Sequence, residues 1–162
     1  MGWSRRVRAR VGTGARAIIA EGGTVLARDI MTPNPVTVRE EATVAEAADI
    51  LRDLAIRHLP VVRGGALVGI VSDRDLAVLD SWASGEPDDL EALRARRATP
   101  VVRVMSADVV SVDPETTVGE IVAAMIEAKI GAVPVVDPAT EEVVGIVSYV
   151  DVLRAVQDLV ED

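Results

Sequence analysis

Two patterns of apolar residues alternate along this chain, one with the period of a helix and one typical of a buried strand. Apolar side chains between Val44 and Ala55 recur at a spacing that predicts one face of a helix. The stretch from Val118 to Met125 repeats that spacing. Each stretch follows a threonine with a glutamate three residues further on, the pattern of a capping box, so both helices are predicted to begin there.

Short apolar runs follow the same order in both halves and predict strands. In the first half they cover Val36–Val38, Leu59–Arg63 and Leu67–Val71, with a hairpin turn at Gly64-Gly65. The run from Leu67 is apolar throughout, which predicts burial on both faces. A second helix is expected to begin at Ser72. The predicted order of elements is therefore β-α-β-β-α.

The chain contains this unit twice. Shifting residues 29–63 by 74 and residues 68–79 by 76 aligns 47 pairs, of which 17 are identical. A unit of about 50 residues buries too little surface on folding to be more than marginally stable alone. We therefore predict an α/β (α+β) fold in which two tandem β-α-β-β-α repeats pack with pseudo-twofold symmetry. The expected parts are a basic tail at 1–24, a first repeat at 25–80, a connector with a short helix over Leu90–Arg97 at 81–102, and a second repeat at 103–160.

Charge and composition narrow the function classes. The net charge is −9, yet residues 1–20 carry five arginines and no acidic residue. An acidic body disfavours nucleic-acid binding, which needs a basic face. No apolar run approaches the roughly 20 residues of a membrane span, so we expect no membrane partner and a cytoplasmic protein. With no cysteine and one histidine, a metal site has little support.

The Ser-x-x-Asp turns that end the second hairpin strand of each repeat suggest a binding chemistry. Ser72 and Ser148 each end a strand and open a helix, whose free N–H groups suit a phosphate. Asp75 and Asp151 lie one turn inside, and an ionised carboxylate suits the paired hydroxyls of ribose. The same pattern is also a helix cap worth about 1 kcal/mol, so both interpretations stand.

The repeated Pro-Val-Val and Val-Gly-Ile-Val-Ser-x-x-Asp motifs, at 60–62 and 68–75 and again at 134–136 and 144–151, resemble the CBS domain family. A tandem pair is similar to its Bateman module. The resemblance implies that AMP, ADP or ATP, or less often S-adenosylmethionine, binds in clefts between the repeats. The ligand-contacting positions that it implies are Val36, Thr37, Pro60, Val61, Ser72, Asp75, Val110, Ser111, Lys129, Pro134, Val135, Ser148 and Asp151.

The basic residues near the second strand of each repeat differ between the repeats. Lys129 is the only lysine, and basic residues near this position contact phosphates in some members of the family that the chain resembles. The first repeat has Ala55 there. We therefore expect the second-repeat site, with Ser148, Asp151 and Lys129, to bind more tightly. Lys129 can equally be a helix-end charge, and Arg57 or His58 can reach a phosphate.

The function expected is a regulatory module that senses an adenine nucleotide without a cofactor and acts through an unknown protein partner. The alternatives are a scaffold without ligand and a binder of S-adenosylmethionine or NADH. A phosphate loop and an activated nucleophile are missing, so we expect no enzyme. A homodimer is expected because the last helices carry surplus apolar residues, namely Val152, Leu153, Val156, Leu159 and Val160.

Overall fold

A computed structural model of the protein describes residues 23–81 and 90–160. The expected basic tail lies almost wholly outside this range. The first part holds α1 (Ala27–Ile30), β1 (Thr32–Pro33), β2 (Val38–Arg39), α2 (Val44–Asp53), β3 (His58–Arg63), β4 (Ala66–Ser72) and α3 (Asp73–Ser81). The second part holds α4 (Leu90–Arg97), a 3-10 turn (Val101–Arg103), α5 (Val118–Ala128), β5 (Ala132–Val136), β6 (Val143–Ser148) and α6 (Tyr149–Val160).

Each repeat has its own three-stranded sheet. In the first, β2 pairs parallel with β3, and β3 pairs antiparallel with β4. In the second, β5 pairs antiparallel with β6, and β1 lies on the other side of β6. Gly64 and Gly65 form the predicted hairpin turn with φ of 59° and 92°, a left-handed backbone that glycine adopts without steric cost. The predicted α/β (α+β) fold of two β-α-β-β-α repeats is confirmed.

The capping boxes place the first helix of each repeat as predicted. The Thr43 N–H donates to Glu46 Oε2 at 2.7 Å, and the Glu46 N–H donates back to Thr43 Oγ1 at 3.2 Å. The same pair of bonds opens α5 at Thr117. The apolar face of α2 is shorter than predicted. Its last turn closes at Ala55 with a left-handed φ of 52°, so Leu54 is 51% exposed and lies outside the core.

Two of the strand predictions need correction. The first strand begins at Val38, because Val36 and Thr37 lie before the pairing with β3. Its counterpart in the second repeat is a single parallel bridge between Val112 and Val135. β4 is also not fully buried on both faces. Val71 is buried but Ile70 is only half-buried, because Ile70 borders a cleft between the repeats.

The segments at the start of the two repeats, residues 27–33 and 101–106, are here called the linkers, and each packs on the other repeat. Ala27 and Ile30 of α1 lie in the core of the second repeat, and β1 pairs Thr32 with Ile146 of β6. Val101 lies in the core of the first repeat, and Ser106 bridges to Ile70 of β4. The two repeats therefore form one interlocked unit.

The connector helix has the predicted bounds, Leu90–Arg97. It contributes no buried residue, and it packs beside α2, where Arg97 approaches Asp49 at 3.9 Å. Within the described part of the chain, no helix has the length and apolar character needed to cross a membrane.

Candidate functional site

A cleft of about 470 Å³ lies between the two repeats. A volume of this size is within the range of small-ligand sites. The first repeat supplies the end of β4 and the start of α3, together with the start of β3. The second repeat supplies the turn between α5 and β5 and the start of α6. The residues that line it are Arg57, His58, Ile70, Ser72, Asp73, Arg74, Asp75, Ser106, Lys129, Ile130, Gly131, Ala132 and Tyr149.

Ser72 and Asp75 form a closed capping box at one wall of this cleft. Asp75 Oδ2 accepts from the Ser72 N–H at 2.8 Å and from Ser72 Oγ at 2.7 Å, and the Asp75 N–H donates to Ser72 Oγ at 3.2 Å. The capping geometry foreseen for this pair is therefore present. A carboxylate has about four acceptor positions, so a cap that uses one oxygen does not prevent the other from binding a ligand.

Ser148 and Asp151 repeat this box in the second repeat. Asp151 Oδ2 accepts from the Ser148 N–H at 2.8 Å and from Ser148 Oγ at 2.6 Å. The other oxygen, Oδ1, lies 3.6 Å from Arg154 of the same helix. Neither residue lines the 470 Å³ cleft. Asp151 therefore has a charged partner of its own and is separated from the cationic side chains of that cleft.

The cleft collects several positive groups. Arg57 Nε donates to Asp73 Oδ2 at 3.1 Å, and this bond raises the pKa of Arg57. Arg74 and Lys129 are both exposed side chains that line the cleft. His58 is half-buried, with its imidazole Cε1 close to Gly131 of the opposite repeat. Burial is the main cause that lowers the pKa of His58, which favours the neutral form of the ring.

Lys129 lies at the C-terminal cap of α5 with a left-handed φ of 54°. Its position at a helix end was expected, but its neighbours were not. The structure places it in the lining of the 470 Å³ cleft with Ser72 and Asp75, whereas Ser148 and Asp151, with which it was expected to group, do not line that cleft. The cause is the packing of the repeats, which turns the end of α5 towards the partner repeat's α3.

The remaining predicted contacts fall into two groups. The side chains of Pro60, Val61, Pro134 and Val135 are fully buried, which assigns them to the two cores. The side chains of these four residues therefore pack in the cores, and their role as ligand contacts stays a prediction. Val36, Thr37 and Val110 lie outside the lining of the cleft, and Ser111 borders a separate cleft of about 280 Å³ beside the start of β4.

Several cleft residues were not among the predicted contacts. Arg74 sits inside the Ser-x-x-Asp turn, between Ser72 and Asp75. Ile130 and Tyr149 adjoin predicted residues, Lys129 and Ser148, and that adjacency was the available signal. Ser106 comes from the linker and carries no pattern of its own. Within the described ranges, no group of three or more histidine or acidic residues could hold a metal ion.

The sequence profile of the CBS domain matches this chain twice, at residues 27–80 and 101–158. The CBS domain-containing protein YhcV of Bacillus subtilis is 33% identical over 124 residues, which is 76% of this chain and 80% of that protein. Other relatives are enzymes, and the match covers 23% of the homoserine O-acetyltransferase of Methanococcoides burtonii at 31% identity. The chain thus spans about a quarter of such relatives.

Solved structures share the fold. The AcuB protein of Vibrio cholerae superposes with a TM-score of 0.69 at 32% identity, covering 85% of this chain and 94% of that one. The CBS domain pair of protein MJ0100, in complex with 5′-methylthioadenosine and S-adenosylmethionine, gives 0.67 at 30% identity, covering 80% and 98%. CBSX2 in complex with AMP gives 0.69 at 27% identity, covering 83% and 98%.

The family model, the relatives and the superposed structures agree on the two CBS domains of this chain. Two of the three superposed structures hold an adenosine-based ligand. The protein therefore belongs to the CBS domain family as a tandem pair.

Proposed function

We propose that this protein senses an adenine nucleotide, AMP, ADP or ATP, bound in the 470 Å³ cleft between its repeats. One observation carries the proposal. The cleft brings Asp75, a carboxylate at the start of a helix in the first repeat, together with Lys129, the only lysine of the chain, from the second. A carboxylate and a cation on facing walls match the ribose and phosphate of one nucleotide.

The phosphate end of the ligand would lie among the positive side chains. Arg74 and Lys129 line the cleft from opposite repeats. Arg57 is held by its bond to Asp73, so its charge is already partly offset. Phosphate oxygens accept charge-assisted hydrogen bonds, which are about twice as strong as neutral ones. Two cations that face each other across a cleft are therefore a favourable site for a phosphate group.

The nucleoside end has a polar and an apolar neighbour. Asp75 uses Oδ2 in its capping box, which leaves acceptor capacity for the ribose hydroxyls. Ile70 and Ile130 are half-buried side chains of the same cleft and offer an apolar surface to a purine ring. The backbone of Val36, Thr37, Val110 and Ser111 stays a proposed contact, as the family resemblance implies.

The positive charge of the cleft also helps to compare a nucleotide with the alternative ligands. The AMP complex of CBSX2 supports a nucleotide, whereas the MJ0100 complex supports S-adenosylmethionine. The sulfonium of S-adenosylmethionine is positive, so Arg74 and Lys129 would repel it if it lay near them. NADH remains a less favoured candidate because it must fit a second nucleoside. A scaffold without ligand remains the other class, since the capping boxes explain Ser72 and Asp75 without one.

Thermal melting with AMP, ADP, ATP, S-adenosylmethionine and NADH tests the proposal. A nucleotide present at 100 times its dissociation constant should stabilise the fold by about 2.7 kcal/mol and raise Tm by several degrees. Shifts with the three nucleotides alone support the proposal. A shift with S-adenosylmethionine alone, or no shift with any compound, overturns it. Release of phosphate during the incubation would instead indicate an enzyme.

We further propose that the protein acts as a cytoplasmic homodimer and passes its signal to a protein partner. Leu153 and Val156 of α6 are 59% and 46% exposed, and Val156 borders an apolar groove of about 360 Å³ with Val25 and Val118. Val152, also expected at this interface, is instead buried in the core of the second repeat. The side chains of Leu159 and Val160 lie outside the described part of the chain.

A further inference from the structure

The two repeats are related residue by residue, but the charges around their Ser-x-x-Asp turns are not. The strand pairings fix the equivalence, because His58 pairs with Ser72 in the first sheet as Ala132 pairs with Ser148 in the second. Ala55 and Lys129 occupy the same left-handed turn, with φ of 52° and 54°. A cleft residue of one repeat can therefore be compared directly with its counterpart in the other.

Part of the cleft is shared by the two repeats. Arg57 and His58 line it together with their own counterparts, Gly131 and Ala132. Asp73 and Tyr149 are also counterparts of each other. These residues lie at the centre of the module and do not distinguish one Ser-x-x-Asp turn from the other. The distinction must come from the residues that line the cleft without their counterparts.

The unshared charged residues differ between the two sides. On the Asp75 side, Arg74 and Lys129 outnumber the one carboxylate, so the local sum is +1. At the counterpart positions stand Val150 and Ala55, and the carboxylate of Asp151 has Arg154 as its ion-pair partner at 3.6 Å, so the local sum is zero. The Asp151 side therefore offers a phosphate no cation beyond the one already paired with its own carboxylate.

We infer that each chain binds one phosphorylated nucleotide, on the Asp75 side, and that the Asp151 side rejects phosphates because it lacks the cations at 74 and 129. The inference rests on the proposed function and deepens it, since it assigns the nucleotide to one of two related sites. Arg154 lies 3.6 Å from Asp151 Oδ1 and so partly offsets the charge of that carboxylate.

The inference predicts which substitutions remove the site and which create a second one. The variant Arg74→Val/Lys129→Ala gives the first side the residues of the second, and both side chains are exposed, so the fold should persist. Each lost charge-assisted bond weakens affinity about tenfold or more. The reverse variant, Ala55→Lys/Val150→Arg, gives the second side the residues of the first. Arg103→Ala removes an exposed cation away from the cleft and is the matched control.

Calorimetric titration with AMP, ADP and ATP measures the number of nucleotides bound per chain and so tests the inference. The inference predicts a stoichiometry of one for the parent chain and Arg103→Ala, a loss of affinity for Arg74→Val/Lys129→Ala, and a stoichiometry of two for Ala55→Lys/Val150→Arg. Two nucleotides on the parent chain would overturn the inference and leave the proposed function standing. Unchanged affinity in the first double variant, or one site in the folded reverse variant, would overturn it too. No binding of any nucleotide to the parent chain would instead overturn the proposed function.

Discussion

The side chain of Met105 lies directly over Gly69, so close that a Cβ built on the glycine would come within 2.2 Å of Met105 Sδ. Met31 covers Gly145 in the same way, at 2.3 Å. Each methionine comes from the linker at the start of one repeat, and each glycine lies in the sheet of the other repeat. The repeated glycine of the Val-Gly-Ile-Val motif is therefore needed for the docking of the linkers.

This contact predicts the cost of a methyl group at the sheet. Gly69→Ala and Gly145→Ala should each lower the free energy of unfolding by about 1–3 kcal/mol, since the methionine or the strand must move. Gly119→Ala is the control, because it lies in a helix and a Cβ there meets only Thr117 Oγ1 at 3.9 Å. It should raise stability by about 0.5–1 kcal/mol. Urea unfolding compares the three, and equal stabilities would contradict the close contact.

The two aspartates of the capping boxes should respond alike in stability but differently in binding. Asp75→Ala and Asp151→Ala each remove the acceptor of two hydrogen bonds at a helix start. Both should lose about 1 kcal/mol of stability. Only Asp75 lies in the cleft with Lys129, so only Asp75→Ala should weaken nucleotide affinity, by about tenfold or more. Titration calorimetry on the folded variants measures the affinity. Unchanged affinity in Asp75→Ala would show that both turns act as helix caps and not as binding sites.

His58 predicts a pH dependence of stability. Burial is the largest cause and lowers the pKa of His58; Asp73 and Asp75 raise it, and Arg57 and Arg74 lower it, but none of these charges outweighs burial. The imidazole therefore takes up a proton more readily in the unfolded chain than in the folded one. As the pH drops below about 6.5, protonation favours the unfolded chain and the free energy of unfolding falls. His58 is the only histidine of the chain, so no other histidine contributes to a change of stability near this pH. Melting curves between pH 7.5 and 5.5 should show the fall, and His58→Gln should flatten it; an identical slope in the variant would rule His58 out.

Truncation should separate two adjoining parts of the N-terminal region. Removing residues 1–20 should change neither Tm nor nucleotide affinity, because the repeats begin after them. Removing residues 1–33 deletes Ala27 and Ile30 from the core of the second repeat together with strand β1. Ile30→Ala tests the same core with one change and should cost about 2–5 kcal/mol, whereas exposed Val102→Ala should cost less than about 0.5 kcal/mol. A full-length chain no more stable than the one lacking 1–33 would contradict this packing.

The exposed apolar side chains of α6 predict the state of association. Light scattering at micromolar concentration should give the mass of two chains. Leu153→Glu places a charge on the proposed interface and should yield monomers, because an unpaired charge is costly to bury. Leu90→Glu, on the exposed connector helix, is the matched control and should stay dimeric. A monomeric mass for the parent chain would contradict the proposed homodimer.

The sequence was sufficient for several features that depend on neighbours within one repeat. The capping boxes at Thr43 and Thr117 and the hairpin at Gly64-Gly65 have local causes, so local patterns predicted them. The docking of Ala27 and Val101 depends on which repeat each linker meets, and an apolar pattern does not specify a partner. The placement of Lys129 in the cleft with Asp75, and not with Asp151, also depends on how the repeats pack, which a local pattern does not specify. Leu54 was misplaced because one left-handed residue, Ala55, ends the helix early.

The exchange of linkers fixes the order in which the molecule can be completed as it leaves the ribosome. The core of the first repeat is complete only after Val101 has emerged. The first repeat is therefore still incomplete when its last helix, α3, has been synthesised. Ala27 and Ile30 are among the first core residues synthesised, but they wait for β6, more than a hundred residues later. Pairings of such long range slow folding. Completion of the native state is therefore expected only after nearly the whole chain has been released, with both repeats closing in one step.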